Sequence, residues 1–260
     1  MVSTGTVRGF GAMPVREVSL SAPWHWLDRG YEDMRKCAPH SFVYGVAITV
    51  ASWLLTGGLW SLGLEAWILA LAGGFLLLAP LLAMGLYNLS RQAEAGEPPA
   101  RNALFMVEPG QRLQFVYFGF LLAFIYLVWL RVAMLLYALL AYNNFMPIED
   151  FTTFALTTGE GLTLLVVGSA IGGAIAFGGF ALSAVSAPML LAQRVDLATA
   201  VLTSLEAVRR NFLPLLLWAW LIALLIAVGI ATAFFGLIVI FPLIGHATWH
   251  AYRDLVASSG

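Results

Sequence analysis

The residues with the most chemical potential lie in "FPLIGHATWHAYRDL" (241–255). His246 and His250 are four apart, so on a helix they share one face, one turn from each other. Such a pair can chelate a metal ion if other elements bring further ligands. It cannot grip a haem from both sides, because a bis-histidine haem needs its second ligand on another helix. The other histidines, His25 and His40, both precede the first long apolar run. The structural alternative is that the imidazoles hydrogen-bond across helices, or to backbone freed by a proline such as Pro80 or Pro188. The sequence favours this interhelical role and keeps a haem or metal at the pair as the alternative.

A third polar residue stands inside an apolar run. Arg131 lies about 27 Å along its helix from the basic end, at 1.5 Å per residue. That depth puts it near the far interface, where it can extend outward or pair with Glu149, Asp150 or Glu160. Ionisable groups at bilayer depth are functional candidates by default. Here no series of carboxylates marks a proton path. No phosphate loop, HExxH or GxSxG is present, and no nucleophile has a base beside it in sequence. The catalytic set is therefore empty. Cys37 is the one cysteine, which excludes an internal disulfide and a CxxC metal site.

The elements that position these residues follow from composition. The chain of 260 residues is 61% apolar and 10% charged, with a mean hydropathy of +0.88. Soluble domains carry about 25% charged residues, so the solvent around most of this chain is lipid. Net charge is −1, which gives no electrostatic footprint for nucleic acid. Residues 1–40 hold no continuous apolar segment of the kind a signal peptide needs.

A membrane helix takes about 20 apolar residues. Charge-poor intervals place spans at about 42–62, 66–89, 113–142, 161–191, 212–232 and 236–253. The last two arise because residues 211–252 contain no Asp, Glu, Lys or Arg, a length of about two spans; a tight turn near Gly229–Gly236 must divide them. Twelve of the 13 Lys and Arg residues fall in the N-terminal segment, the 2–3 and 4–5 connections and the C-terminal end. This bias predicts six spans with both termini cytoplasmic in a bacterial inner membrane. Residues 1–22 read as a flexible cytoplasmic tail, and 23–257 as one six-helix domain.

The expected fold is all-α: three helical hairpins, with amphipathic helices on the cytoplasmic surface. "GGFLLLAPLLA" (73–83), "GGFALSAVSAPMLLA" (178–192) and "GLIVIFPLIGHATW" (236–249) set Pro80, Pro188 and Pro242 in comparable places, a weak internal repeat. The stripe Trp24, Leu27, Tyr31 and Met34 predicts one surface helix, and Leu197, Val201, Leu205, Val208 and Phe212 another, with Asp196 as N-cap. Gly57, Gly58, Gly73, Gly74, Gly168, Gly172, Gly178 and Gly179 mark faces where helices of this chain or of a partner can touch.

"WHWLDRGYEDMRKCAPHSFVYG" (24–45) and "GHATWHAYRDLV" (245–256) resemble an uncharacterised family of integral membrane proteins, mainly proteobacterial, a domain of unknown function. The resemblance is read over residues 20–257. Some members bear the label cytochrome c oxidase subunit I; such subunits are about twice as long and present histidines on several helices, which this chain does not. The resemblance implies no catalytic residues. Together these readings point to a non-catalytic accessory subunit or assembly factor of a larger membrane complex, with a respiratory one as candidate. A small transporter or channel with a midplane site near His246 is the runner-up. A histidine-ligated redox protein comes third.

Overall fold

The structure is a computed structural model and describes residues 11–64, 66–99, 109–140 and 148–256. It is all-helical: α1 (Ala22–Lys36), α2 (Ala38–Ser61), α3 (Ala66–Leu82), α4 (Met84–Glu94), a 3-10 turn (Pro109–Gln111), α5 (Arg112–Leu140), α6 (Ile148–Thr157), α7 (Gly159–Ser183), α8 (Ser186–Ala192), α9 (Leu197–Arg210), α10 (Phe212–Ala231) and α11 (Leu237–Leu255). Among the described residues, five helical stretches are long and apolar enough to cross a membrane: Ala38–Ser61, Gly73–Glu94, Arg112–Leu136, Gly159–Ala192 and Phe212–Ala231. The protein is a polytopic membrane protein.

The interval expected to hold a sixth span forms α11, which is not among these five. Its 19 residues include His246, His250, Arg253 and Asp254. It tolerates them because the protein, rather than lipid, surrounds it: α1, α2, α4 and α10 all pack on it. A helix enclosed by other helices need not be apolar all round, whereas α2 and α5, few of whose residues are buried, must be largely apolar.

The tight turn before α11 falls at 232–236. Ala233 and Phe234 take positive φ values of 51° and 69°, a conformation L-residues adopt at a cost. Helix α2 holds the turn there: Thr49 Oγ1 donates to the Phe234 carbonyl at 3.1 Å and Trp53 Nε1 to the Ala233 carbonyl at 2.7 Å. Helix α2 thus lies against α11 and makes little contact with α3, its neighbour in sequence. The first expected hairpin is splayed, while α5–α7 and α10–α11 pack closely.

Two spans are broken. The first bends at Ala83, three residues after Pro80, which has no N–H for the helix ladder. The Tyr44 hydroxyl donates to the Leu82 carbonyl at this bend. The second breaks between Ser183 and Ser186. There the Ser204 hydroxyl of α9 donates to the Ala181 carbonyl at 2.7 Å, and the Ser186 hydroxyl to the Leu182 carbonyl at 2.6 Å. The backbone groups that a break exposes must be satisfied inside a membrane. Side chains do so here.

Both surface helices form. Helix α1 buries Trp26, Gly30 and Asp33 and exposes Trp24 and Tyr31. Helix α9 buries Thr199, Ala200, Thr203, Ser204, Ala207 and Val208 and exposes Leu205. The expected stripes are therefore divided: Trp24, Tyr31 and Leu205 point outward, where an interfacial helix meets lipid, while Val208 packs inward. Asp196 caps α9 as expected, its Oδ1 accepting from the Thr199 N–H at 2.8 Å.

The expected flexible tail is corrected for its described part. Met13 is buried and its N–H donates to Thr203 Oγ1 at 2.9 Å. Arg16 N–H donates to the Leu255 carbonyl at 2.8 Å, and Val15 pairs with Val256 in a single antiparallel bridge. The segment satisfies carbonyls at the end of α11, which a helix leaves without partners. Residues 1–10 lie outside the described residues.

Candidate functional site

Three glycines bring four helices together. A Cβ on Gly30 of α1 would lie 2.7 Å from the Ala247 nitrogen of α11. Gly45 of α2 lies directly on the Ile238 carbonyl, and Gly245 of α11 lies against Leu86 of α4. Each contact has a polar residue within about one helical turn: Asp33 after Gly30, Ser41 before Gly45, Ser90 after Leu86, His246 beside Gly245. Close approach therefore places these side chains within reach of one another.

His246 is fully buried. Its Nε2 meets the Ser41 hydroxyl at 2.9 Å and its Nδ1 the Ser90 hydroxyl at 2.7 Å. A neutral imidazole has one donor and one acceptor nitrogen; the Ser90 hydroxyl gives its one hydrogen to the Asp33 carboxylate, so it accepts from Nδ1–H while the Ser41 hydroxyl donates to Nε2. His250 Nε2 meets Asp33 Oδ2 at 2.8 Å. The Ser90 hydroxyl also reaches the Asp33 carboxylate, and Lys36 Nζ stands 3.4 Å from Asp33 Oδ1. One continuous chain runs Ser41–His246–Ser90–Asp33–His250 through α2, α11, α4 and α1.

Burial raises the Asp33 pKa, but the hydrogen bond and charge of His250, the Ser90 hydroxyl and His246 outweigh it. The carboxyl is held below its ordinary value. Cys37, one turn on, behaves in the opposite sense: burial and the neighbouring Asp33 charge push the thiol up against the weaker pull of Lys36. It is a protonated, packed thiol rather than a nucleophile.

The serine–imidazole–serine–carboxylate order contains the parts of a nucleophile and its base. A reaction needs substrate contact with the Ser41 or Ser90 oxygen, and these residues are 2% and 0% exposed. The arrangement ties helices. The two histidines share a face but serve different partners, and both His246 nitrogens are occupied. Among the described residues, no group of three His, Cys, Asp or Glu side chains gathers as a metal centre requires. A transport site at His246 would need an opening beside the ring, which is enclosed.

Of the two roles expected for the imidazoles, they take the first: their bonds run across helices, and other groups serve the backbone beside the prolines. Tyr44 serves the bend after Pro80 and serines of α8 and α9 serve the break before Pro188. Pro242, inside α11, lacks the N–H that would pair with Ile238, four residues back; that carbonyl meets the Gly45 backbone. Arg131 is exposed on α5 and has no ion pair among the described residues; the side chains of Glu149 and Asp150 lie outside them. Gly172 receives Trp129 and Gly179 receives Leu77, while Gly168 and Gly178 meet nothing within 4 Å. Gly73 and Gly74 pack on Trp129 and Tyr126; Gly57 and Gly58 meet nothing. Sequence reasoning missed Asp33, Ser41 and Ser90. The available signal was their spacing of three or four residues from a residue in a helix crossing.

Residues 68–192 match the family described as predicted integral membrane protein (DUF2189). The matched stretch runs from α3 through α8 and so excludes both end motifs on which the resemblance was read. It is similar to an integral membrane family of unknown function. No curated protein and no solved structure matches the chain. The DUF2189 stretch contains Ser90 and the unpaired glycine face of α7, while Asp33, Ser41, His246 and His250 lie outside it.

Proposed function

We propose that this protein is a non-catalytic accessory subunit or assembly factor that docks another membrane protein through α7. The carrying observation is Ala170, Ala174 and Gly178, at successive fours on one exposed face of α7. Space beside Gly178 is open. Bulky residues such as Phe120, Phe124 and Val166 stand elsewhere on the exposed surface, and α10 carries a second exposed row of small residues at Ala223, Ala227 and Ala231. Small residues belong at helix–helix contacts in membranes, because they let backbones touch. A small-residue face with no helix against it among the described residues fits a helix from another protein.

The setting proposed is a bacterial inner membrane, with six crossings and both termini on the cytoplasmic side, supported by the placement of Lys and Arg. The family resemblance makes a respiratory complex the first partner to test. The experiment is affinity purification from native membranes in mild detergent, for the natural chain and for Ala174→Leu. A stoichiometric membrane partner that the Ala174→Leu chain fails to retain supports the reading. A single species in both preparations overturns it.

A further inference from the structure

A cavity of about 360 Å³ lies between α3, α7, α10 and α11, with the end of α4 at its inner wall. It exists because α7 and α10 stand apart. They meet where the Phe177 and Phe212 rings touch edge to face, centroids 5.8 Å apart. The rim residues Leu76, Gly173, Ala176 and Trp220 are exposed, so the cavity opens sideways, between spanning helices, towards lipid.

The wall chemistry selects an occupant. The lining is mostly apolar, with Leu77, Phe180, Ile222 and Phe241 among its residues. Two polar lining groups are already used: Ser183 Oγ donates to the Gly179 carbonyl and Thr248 Oγ1 to the Ile244 carbonyl, each at 2.8 Å. Two others are not. Tyr87 and Trp218 line the cavity and are 2% and 1% exposed. Neither the Tyr87 hydroxyl nor the Trp218 indole N–H has a hydrogen-bond partner among the described residues. Both remain available as donors to an occupant of the cavity. Tyr87 is seven residues before the end of α4 and Trp218 six after the start of α10, so both lie roughly 10 Å from the same end of the bundle.

We propose that this cavity binds a lipophile made of a hydrocarbon chain and a carbonyl oxygen, the chain along the apolar wall and the oxygen accepting from Tyr87 and Trp218. Pockets of about 300–1,000 Å³, mostly apolar with a few placed polar groups, are the usual form of small-molecule sites. An ion or a sugar finds no matching group here. A purely aliphatic occupant would leave both donors without partners. Two membrane components have the required chemistry, an acyl ester lipid and an isoprenoid quinone.

The test uses the full chain in detergent micelles, titrated separately with a bromine-labelled acyl phospholipid and a short-chain benzoquinone. Both quench tryptophan, and Trp218 is shielded from unbound probe. The expected result is saturable quenching by one probe, reduced in Trp218→Phe. Tyr87→Phe, which keeps the ring, should weaken that binding about 5–10-fold, the worth of one hydrogen bond. Gly173→Phe, at a rim position with open space beside it, should abolish binding while the chain stays monodisperse. The probe that saturates names the source. Quenching that fails to saturate with either probe, or that is unchanged in both Tyr87→Phe and Gly173→Phe, overturns the proposal.

Discussion

Gly45 of α2 lies on the Ile238 carbonyl of α11, the acceptor that Pro242 deprives of its N–H. The proline supplies a free carbonyl, and the missing side chain lets the neighbouring backbone cover it. Any Cβ at position 45 meets backbone rather than a movable side chain. Gly45→Val should therefore part α2 from α11 and lower stability by about 1–3 kcal/mol, the usual range for overpacking. Gly58→Ala, on the same helix with open space beside it, should leave stability unchanged or raise it. Thermal unfolding in detergent compares the two. Equal effects would refute the close approach.

His246 holds Ser41 and Ser90, on two other helices. His246→Ala removes a buried ring and leaves two hydroxyls facing a void. The loss should be about 2–4 kcal/mol. Ser41→Ala removes one bond and should lose about 1 kcal/mol or less. A visible absorption band that disappears in His246→Ala would instead revive the cofactor reading.

Acid should loosen the end of the bundle where α1 meets α11. The groups facing Asp33 are His250, His246, Ser90 and Lys36. A carboxyl with a lowered folded pKa contributes stability at every pH above its unfolded value, about 3.9. That contribution disappears as pH falls through the lower folded value. Stability of the natural chain should fall below about pH 4. Asp33→Asn should be less stable at neutral pH and should show a flatter fall in acid. Unfolding midpoints from pH 3 to pH 7 provide the comparison.

Ala233 has a φ of 51°, where a Cβ is strained. Ala233→Gly should raise stability by about 0.5–1 kcal/mol. The trend depends on the turn keeping its bond from Trp53, so Trp53→Phe should lower stability. Loss of stability in Ala233→Gly would contradict the turn geometry.

Cys37 is buried and its thiol is raised. It should resist maleimide at neutral pH in the folded protein and react on unfolding. Rapid labelling of the native chain would show that the α1–α2 junction opens.

Composition and charge spacing determined that this is a helical membrane protein, because length, hydropathy and the rarity of charge leave no other solvent for most of the surface. They also located the helix intervals and the tight turn before α11. Sequence placed His246 and His250 on one face, since that follows from 3.6 residues per turn alone. It could not name their partners. Asp33, Ser41 and Ser90 lie on three other helices, and only the crossings at Gly30, Gly45 and Leu86 bring them together. The direction of the α1 and α9 faces was likewise a tertiary matter. A hydrophobic stripe at a membrane surface can bury against protein or against lipid, and periodicity is the same for both. The cavity arises in the same way, from a gap between α7 and α10 that no local pattern encodes.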